Sequence, residues 1–201
     1  ELINMNIHLA SKSETRAKLL KQANIEFSLL EHGVDEDEVK MMSPQISPSD
    51  LVVKLAELKA TQPTTENEND LVIGSDQVLD LGGKLFNKAK TKQEAREQLK
   101  TLSGKTHKLI TSTIIAQNKK IIWRHLDVSH LQMRNLDAGE IEKYLNNLDD
   151  KILNFVGVYA IEQEGIKLFK KIEGDFFSIQ GISLLPLINF LWENKLVLNN
   201  D

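Results

Sequence analysis

The sequence predicts an α/β protein whose mixed β-sheet is flanked by helices. Three observations predict this class: apolar residues recur at helical spacing, short β-branched runs lie between those segments, and capping residues and turns separate the two. The 201 residues include no cysteine, which excludes disulfides, thiolate metal sites and a cysteine nucleophile. A reducing, cytoplasmic setting fits this composition best.

The chain opens with a predicted strand, loop and helix. Residues 6–11 have the apolar character of a short strand, and residues 13–23 carry apolar side chains on one helical face. Ser11 and Glu14 have the spacing of a capping box, so the helix is expected to begin one or two residues after Ser11. Residues 27–30 predict a second strand.

The turn between the first predicted strand, residues 6–11, and the helix over residues 13–23 is a candidate anion site. A helix start offers free backbone N–H groups and a positive dipole end. Ser11 and Ser13 add hydroxyl groups, and Arg16, one of four arginines, can bind phosphate oxygens with two donors at once. No glycine-rich phosphate fingerprint accompanies them, so a plain helix N-terminus stays the alternative.

An acidic run over residues 35–38 follows and contains Glu36. Its carboxylates could hold a hard divalent cation, but such runs are commonly solvated loops, so both interpretations stay open. The five histidines show no metal-ligand spacing, and no Gly-x-Ser-x-Gly nucleophile motif occurs.

The helix predicted from about Ser49 places a lysine on its apolar stripe. Val52, Ala56 and Lys59 follow i, i+4, i+7 spacing, so the ammonium group lies near the C-terminal end of the apolar face. This group either extends past the apolar surface to water, as long lysine stems do, or faces a cleft.

Asp76 follows a strongly apolar run and Gly74, and we expect it to end a central strand over residues 71–76. In open α/β sheets, ligands bind at the carboxyl ends of strands, which makes this carboxylate a catalytic candidate. A turn Asp that caps a loop is the alternative.

The remaining patterns complete the α/β class. Thr91 and Glu94 predict a capped helix that ends near Gly104, and Asn118-Lys119 predict the turn of a hairpin. Further helices are predicted over 137–145 and from about 185, with strands over 106–117, 120–133, 157–161, 167–171 and 176–179.

Charge and hydropathy argue against two classes of partner. The net charge is −4 and no long basic block occurs, so we expect no nucleic-acid partner. The longest uncharged run, 176–192, is interrupted by polar residues and predicts a buried core segment rather than a membrane span. The start lacks a secretion signal, and residues 1–5 are interpreted as an extension before a native start at Met5 or as disordered.

The chain carries several motifs whose order is more specific than any one of them. In sequence they are Leu9-Ala-Ser11-Lys-Ser13-Glu-Thr-Arg16, Val34-Asp35-Glu36, Leu55-Ala-Glu-Leu-Lys59-Ala60, Ile73-Gly-Ser-Asp76-Gln77-Val78, Lys88, Leu102-Ser-Gly104-Lys-Thr-His107 and Gly157-Val-Tyr159-Ala-Ile. This series, over residues 7–191, resembles the Maf family of nucleoside triphosphate pyrophosphatases, which is related in fold to inosine triphosphatase.

The resemblance implies a single Maf-like domain over residues 1–201, with an elongated mixed sheet, two lobes and a central cleft. It implies hydrolysis of nucleoside triphosphates between the α and β phosphates, with Mg²⁺ or Mn²⁺ as the divalent cation. Asp76 matches the catalytic carboxylate, as the base toward water or as a metal ligand, and Glu36 matches its metal-binding acidic partner.

The resemblance also assigns residues to the substrate. Ser11, Arg16, Lys59 and Lys88 match positions that contact the phosphates. Thr15, Gln77 and Glu162 match positions that select the base, and the last two resemble the branch of the family that prefers 7-methyl-GTP.

The alternative function is a non-catalytic nucleotide-binding regulator, because members of the family are associated with inhibition of septum formation in cell division. A homodimer is compatible with the resemblance, and we expect no membrane partner.

Overall fold

The computed structural model describes residues 5–196, in which strands and helices alternate as the sequence predicts. The strands are β1 (Ile7–Leu9), β2 (Ser28–Leu29), β3 (Leu71–Leu81), β4 (Lys84–Phe86), β5 (Thr106–Gln117), β6 (Lys120–Met133) and β7 (Phe169–Glu173). The α-helices are α1 (Glu14–Gln22), α2 (Glu36–Met41), α3 (Pro48–Thr61), α4 (Lys92–Leu102), α5 (Ala138–Asn146), α6 (Phe176–Ile179) and α7 (Leu184–Glu193). Short 3₁₀ helices span Asp150–Asn154, Val156–Val158 and Glu164–Leu168.

The strands form one mixed sheet in the order β2-β1-β3-β5-β6-β7, and β4 pairs with β3. β1 runs parallel to both β2 and β3, whereas β4 is antiparallel to β3 and β7 is antiparallel to β6. The prediction of a mixed sheet flanked by helices is therefore confirmed. The central cleft and the single domain over the whole chain stay predictions.

Within the described residues, the chain divides into two compact units. The first comprises residues 5–77, 111–127 and 176–196, and the second comprises residues 78–110 and 128–175. Of residues 1–5, which the sequence analysis interprets as an extension or as disordered, residues 1–4 lie outside the described residues.

The first unit has a helical layer on each face of its strands. On one face, buried side chains of β1, β3 and β5 pack against α1 and α7, among them Leu9, Ile73, Ile115, Leu20 and Leu187. On the other face, Ala56 and Ala60 of α3 pack against Ile114 and Ala116 of β5. Ile114 and Ile115 are neighbours on one strand, so their side chains point to opposite faces of the sheet.

Gly74 permits α3 to approach β3 closely. A Cβ atom at this position would lie 2.4 Å from the Ala56 carbonyl oxygen and 2.7 Å from the Ala60 nitrogen. Both distances are well below van der Waals contact, so any side chain here would push the helix away from the strand. Gly74 therefore sets the separation of the strand and helix that carry Asp76 and Lys59.

The second unit contains a buried aromatic cluster. His107 of β5 is 1% exposed, and its Nε2 atom lies 2.7 Å from the hydroxyl oxygen of Tyr159. The rings of His107 and Tyr159 each contact Phe169 edge-on. Tyr144 donates a hydrogen bond of 2.9 Å to the carbonyl oxygen of Val158, which has a positive φ of 62°.

The structure corrects the predicted end of the central strand. β3 continues to Leu81, so Asp76 lies inside the strand and does not end it. Gly74 is present because α3 packs closely against it, and it does not terminate the strand. The neighbouring β1 ends at Leu9, which pairs with Ile73, so Asp76 lies beyond the carboxyl end of β1 instead.

Four other local predictions are wrong. Residues 36–41 form a helix capped by the Asp35 side chain, so the acidic run is not an irregular loop. Ser13, two residues after Ser11, is the N-cap of α1 and accepts from the Arg16 backbone N–H. Residues 157–161 form no strand, because Gly157 and Val158 both have positive φ, and residues 176–179 form the helical turn α6.

Several element predictions are confirmed with their bounds. β5 and β6 begin and end where the sequence predicts, and Asn118 and Lys119 both have positive φ, as a two-residue hairpin turn requires. Asp137 caps α5 in a capping box with Glu140. Within residues 5–196, no helix has both the length and the apolar character that a membrane crossing requires.

Candidate active site

Two carboxylates share the ammonium group of Lys59. Its Nζ atom lies 2.6 Å from Oδ1 of Asp76 and 2.7 Å from Oε1 of Glu36. Lys59 and Asp76 are 4% and 5% exposed, whereas the Glu36 side chain is 43% exposed. Lys59 is thus buried and paired, and the interpretation in which it extends past the apolar surface to water is wrong.

Local structure explains how these three groups meet. Lys59 occupies the same stripe of α3 as the buried Val52 and Ala56, so the helix turns the ammonium toward the sheet. Asp76 is two residues after Gly74 and shares its face of β3, the face on which α3 lies. Glu36 is the first residue of α2.

Burial raises the pKa of the Asp76 carboxyl above its usual range, and the charge of Glu36 adds to this rise, whereas Lys59 and Arg16 oppose it. A carboxylate with a raised pKa is a stronger base, which suits proton abstraction from water. The cations hold the charged form of this buried group in place. The site thus contains a buried carboxylate whose charge is disfavoured by burial and by Glu36 and favoured by two cations.

Arg16 is fixed by the carbonyl of a distant glycine. Its Nε atom donates to the Gly181 carbonyl oxygen at 2.5 Å, and its Nη1 atom donates to Ser11 Oγ at 3.2 Å. Burial lowers the pKa of the Arg16 guanidinium, while Asp76 and Glu36 oppose this effect. The structure thus brings Ser11 and Arg16 together at the start of α1.

Gln77 lies next to Asp76 on β3 and is half-buried. Its Nε2 atom lies 3.0 Å from each of three acceptors: Thr111 Oγ1, the Ser178 carbonyl oxygen and the Ile179 carbonyl oxygen. The amide nitrogen of Gln77, which was predicted to select the base, is therefore hydrogen-bonded within the protein.

The other predicted substrate residues have different settings. Thr15 is half-buried in the first turn of α1, in the first unit. Lys88 is exposed and Glu162 is half-buried, and both belong to the second unit. Their assignment to phosphates and base stays a prediction.

Two residues near the carboxylates, Ser75 and His32, received no role from the sequence. Ser75 is fully buried, and its hydroxyl lies 2.8 Å from the Gly181 carbonyl oxygen and 2.9 Å from the Ser112 carbonyl oxygen. His32 accepts a hydrogen bond of 3.0 Å at Nδ1 from the Val34 backbone N–H, and burial and the charge of Lys59 lower its pKa. The sequence shows that Ser75 and Gln77 alternate on one strand and so share a face of the sheet. It does not show the contact of Ser75 with Gly181, because these residues are 106 apart in sequence.

The carboxylates fit a divalent cation by their chemistry. Glu36 and Asp76 present hard oxygen ligands, and both already converge on one cation, the Lys59 ammonium. Among residues 5–196, no cluster of three or more His, Asp or Glu side chains has the arrangement of a metal site. Two protein carboxylates suffice for Mg²⁺, which usually keeps waters and binds substrate phosphates as well.

A family profile described as Maf-like protein matches residues 6–194. The chain belongs to the Maf family. A relative named 7-methyl-GTP pyrophosphatase, from Brucella abortus, is 42% identical over 97% of this chain and 99% of its own length. Another of that name, from Bartonella henselae, is 45% identical over 90% of this chain and 91% of its own length.

A further relative in Caulobacter vibrioides, named nucleoside triphosphate pyrophosphatase, is 40% identical over 92% of this chain and 94% of its own length. Among solved structures, a HAM1 protein from Coxiella burnetii superposes with a TM-score of 0.40 at 15% identity, over 75% of this chain and 90% of that one. The prediction that the chain belongs to the Maf family is confirmed by the profile match and by these sequence relatives.

Proposed function

We propose that this Maf-family chain is a nucleoside triphosphate pyrophosphatase, which cleaves the bond between the α and β phosphates to give a monophosphate and pyrophosphate. The observation that carries the proposal is the buried Lys59 in contact with both Asp76 and Glu36. The names of relatives that align along nearly their whole length support it.

Asp76 is the proposed catalytic carboxylate. Two roles fit it: it accepts the proton of the attacking water, or it holds the cation that activates this water. The rise in its pKa through burial favours proton uptake, while the hydrogen bond from Lys59 keeps a carboxylate oxygen in a fixed direction.

The proposed cofactor is Mg²⁺ or Mn²⁺, held by Glu36 and Asp76. Such a cation, when bound, neutralises phosphate charge and lowers the pKa of a coordinated water. Lys59 already stabilises both carboxylates as anions, which is the form in which they bind a cation. Glu36 lies on the exposed side of the group and is the more accessible of the two ligands.

Cationic and hydroxyl groups bind the phosphates in this proposal. Two donors of the Arg16 guanidinium contact Gly181 and Ser11, which leaves donors of its planar fork for phosphate oxygens. Lys59 and Lys88 add positive charge to offset the charge that develops on the phosphates in the transition state.

The proposed preferred substrate is 7-methyl-GTP, with Glu162 and Thr15 as the residues that select the base. Gln77, which the family resemblance also assigned to the base, is left out of this set because protein acceptors already engage its amide nitrogen. A carboxylate such as Glu162 suits a base edge that presents N–H donors, and it also suits the positive charge of a methylated guanine. Relatives named 7-methyl-GTP pyrophosphatase at 42% and 45% identity support this preference.

The test is product analysis by ³¹P NMR with Mg²⁺ and a panel of 7-methyl-GTP, GTP, ATP, UTP and dTTP. The proposal predicts monophosphate and pyrophosphate, loss of turnover with a chelator, and the highest kcat/KM for 7-methyl-GTP. Release of orthophosphate, or a nucleotide that binds and stays intact, would contradict a pyrophosphatase.

The base preference has its own test in Glu162→Gln, compared with Glu164→Gln as the matched control. Loss of one charge-assisted contact should lower kcat/KM for 7-methyl-GTP by about ten- to a hundred-fold, with a much smaller effect on GTP. Glu164 pairs with Lys167 at 3.6 Å, and its variant should keep the preference. Equal losses for both nucleotides in Glu162→Gln would contradict the assignment.

A further inference from the structure

We propose that Gln77 acts on the phosphates by holding Arg16 in place, through a segment of chain that begins at Ser178. This segment, residues 178–183, comprises the last two residues of α6 and the connection to α7, and it is bound by polar side chains of β3 and β5. The inference rests on the proposed function, because it deepens the role of the same site. It makes Gln77, Thr111 and Ser75 positioning residues.

Alternating polar side chains on two neighbouring strands bind the segment. On β3, the Ser75 hydroxyl lies between two acceptors, the Gly181 carbonyl oxygen at 2.8 Å and the Ser112 carbonyl oxygen at 2.9 Å. Gln77 Nε2 lies 3.0 Å from the carbonyl oxygens of Ser178 and Ile179. On β5, Thr111 donates to the Ser178 carbonyl oxygen at 2.8 Å. Thr113 Oγ1 accepts from the backbone N–H of Ser183 at 3.1 Å.

These side chains share one face of the sheet, because they alternate along each strand. Ser75, Thr111 and Thr113 are each 1% exposed or less, so water does not compete for their hydrogen bonds. A hydrogen bond also joins the two ends of the segment, since the hydroxyl oxygens of Ser178 and Ser183 lie 2.8 Å apart. Its carbonyl groups therefore have fixed directions.

The amide group of Gln77 has no N–H left for a nucleotide base. An NH₂ group has two hydrogens, and Nε2 already faces three acceptors. The orientation of the amide follows from the partners, because the carbonyl oxygens of Ser178 and Ile179 can only accept. The Thr111 hydroxyl hydrogen is directed to Ser178, so the Thr111 oxygen can only accept from Gln77, and the three acceptors share the two N–H groups.

The segment positions Arg16 through the carbonyl oxygen of Gly181. The Gly181 carbonyl oxygen accepts from Arg16 Nε and lies 2.8 Å from Ser75 Oγ, whose one hydrogen it shares with the Ser112 carbonyl oxygen. One oxygen of the segment therefore contacts both β3 and the guanidinium. Gly181 has a φ of 116°, and a Cβ atom there would lie 3.2 Å from Arg16 Nε. Glycine at this position therefore permits both the backbone conformation and the close approach of the arginine.

A fixed guanidinium binds phosphate better than a mobile one, because less side-chain entropy is lost on binding. Loosening the segment should therefore weaken binding of the phosphates whatever the base. A Gln77 that contacted the base directly would instead alter the choice among bases.

The direct test is hydrogen exchange at Arg16 Nε–H by ¹⁵N NMR, in which four arginines give few signals and Arg16→Lys assigns the one of interest. Thr111→Val and Gln77→Met remove donors to the segment without adding charge beside Asp76. Each should speed exchange at Arg16 by about five-fold or more, as expected for loss of one hydrogen bond. Thr106→Val, an exposed position on the same strand, is the matched control and should leave exchange unchanged.

Arg124 reports whether a variant is still folded, because its Nε donates to Glu57 of α3 and both residues belong to the first unit, as the two test positions do. If one variant also loses this protection, the other variant decides. Unchanged exchange at Arg16 in a folded Thr111→Val or Gln77→Met protein would overturn the proposal.

Calorimetry with inorganic tripolyphosphate supplies the second readout. Both variants should bind tripolyphosphate about five-fold more weakly, and KM should rise by a similar factor for every nucleotide. A loss limited to one base, with unchanged tripolyphosphate affinity, would overturn the proposal in favour of direct contact with the base. Failure of the proposed function would appear separately, as absence of monophosphate and pyrophosphate in wild-type reactions, and would not alter the exchange result.

Discussion

Lys59 is held by two carboxylates in a place where a lysine is costly. Taking an ammonium out of water costs several kcal/mol unless paired charges compensate it. Asp76 and Glu36 supply this compensation at 2.6 and 2.7 Å. The two buried charges, Lys59 and Asp76, therefore depend on each other, since each is stabilised by the opposite charge of its partner.

Lys59→Met tests this dependence. The variant leaves Asp76 buried without its hydrogen-bond donor, so the free energy of unfolding should fall by about 3 kcal/mol at pH 7. Pyrophosphate release should fall at least a hundred-fold, because a phosphate contact and the cation between the carboxylates are both lost. Denaturant titration and product analysis measure the two effects.

The matched control is Lys54→Met, on the exposed side of the same helix. It should change the free energy of unfolding by less than about 0.5 kcal/mol. If the two variants behave alike, Lys59 is not a buried paired charge.

His107 links stability to pH in the second unit. Burial lowers the pKa of His107 to about 4, below its usual value of 6.5. The unfolded chain therefore binds a proton between these values while the folded chain does not, so stability is lost as the pH falls from about 6.5 to about 4. The loss approaches about 3 kcal/mol at the lower end.

His107→Gln should remove this part of the pH dependence. Urea unfolding at pH 7 and pH 4.5 measures it as the difference between wild type and variant, and the variant should lose less stability on acidification. His130→Gln, at an exposed position, should follow the wild type. A His107→Gln protein as sensitive to acid as the wild type would show that His107 is not the group responsible.

At the scale of elements, the contact of β3 with α3 positions the site. Gly74 brings the strand against the backbone of Ala56 and Ala60, and Asp76 and Lys59 lie on the same two elements. A small change in the spacing of strand and helix therefore moves the carboxylate relative to the ammonium.

Gly74→Ala tests this contact. The added methyl group meets backbone atoms at 2.4 and 2.7 Å, which cannot give way as a flexible side chain can. We expect unfolding to become easier by about 3 kcal/mol and kcat to fall about ten-fold or more, as measured by thermal melting and by turnover.

Gly139→Ala in α5 is the matched substitution. There the nearest atom is a side-chain oxygen of Asp137 at 3.3 Å, so stability should change by no more than about 1 kcal/mol. A Gly74→Ala protein with wild-type melting and turnover would mean that the strand and helix do not need this close approach.

The elements also show where sequence reasoning succeeds. The β5–β6 hairpin was predictable because β-branched runs flank a two-residue turn, and α4 because Thr91 and Glu94 have the spacing of a capping box. The end of β3 was not predictable from sequence. A glycine such as Gly74 that permits close packing cannot be distinguished in sequence from a glycine that ends a strand. Helix α2 buries no residue, so no apolar period predicted it.

At the scale of the whole molecule, the residues brought together come from distant parts of the chain. Glu36, Lys59 and Asp76 converge, as the motif order of the Maf family led us to expect. The hydrogen bonds from Gln77 to Ser178 and from Arg16 to Gly181 span 101 and 165 residues. Such contacts depend on how the sheet and helices pack, so local patterns of sequence cannot predict them.

The central claim is that the carboxylate of Asp76 carries out hydrolysis of the α–β phosphate bond. The most direct measurement is kcat/KM for pyrophosphate release from 7-methyl-GTP by Asp76→Asn, beside Asp80→Asn as control. Asp80 is also a buried acid on β3, and it accepts a hydrogen bond of 2.7 Å from the Gly83 backbone N–H. We predict at least a thousand-fold loss for Asp76→Asn and no more than about a ten-fold loss for Asp80→Asn. Equal activity of the Asp76→Asn protein and the wild type would contradict the account.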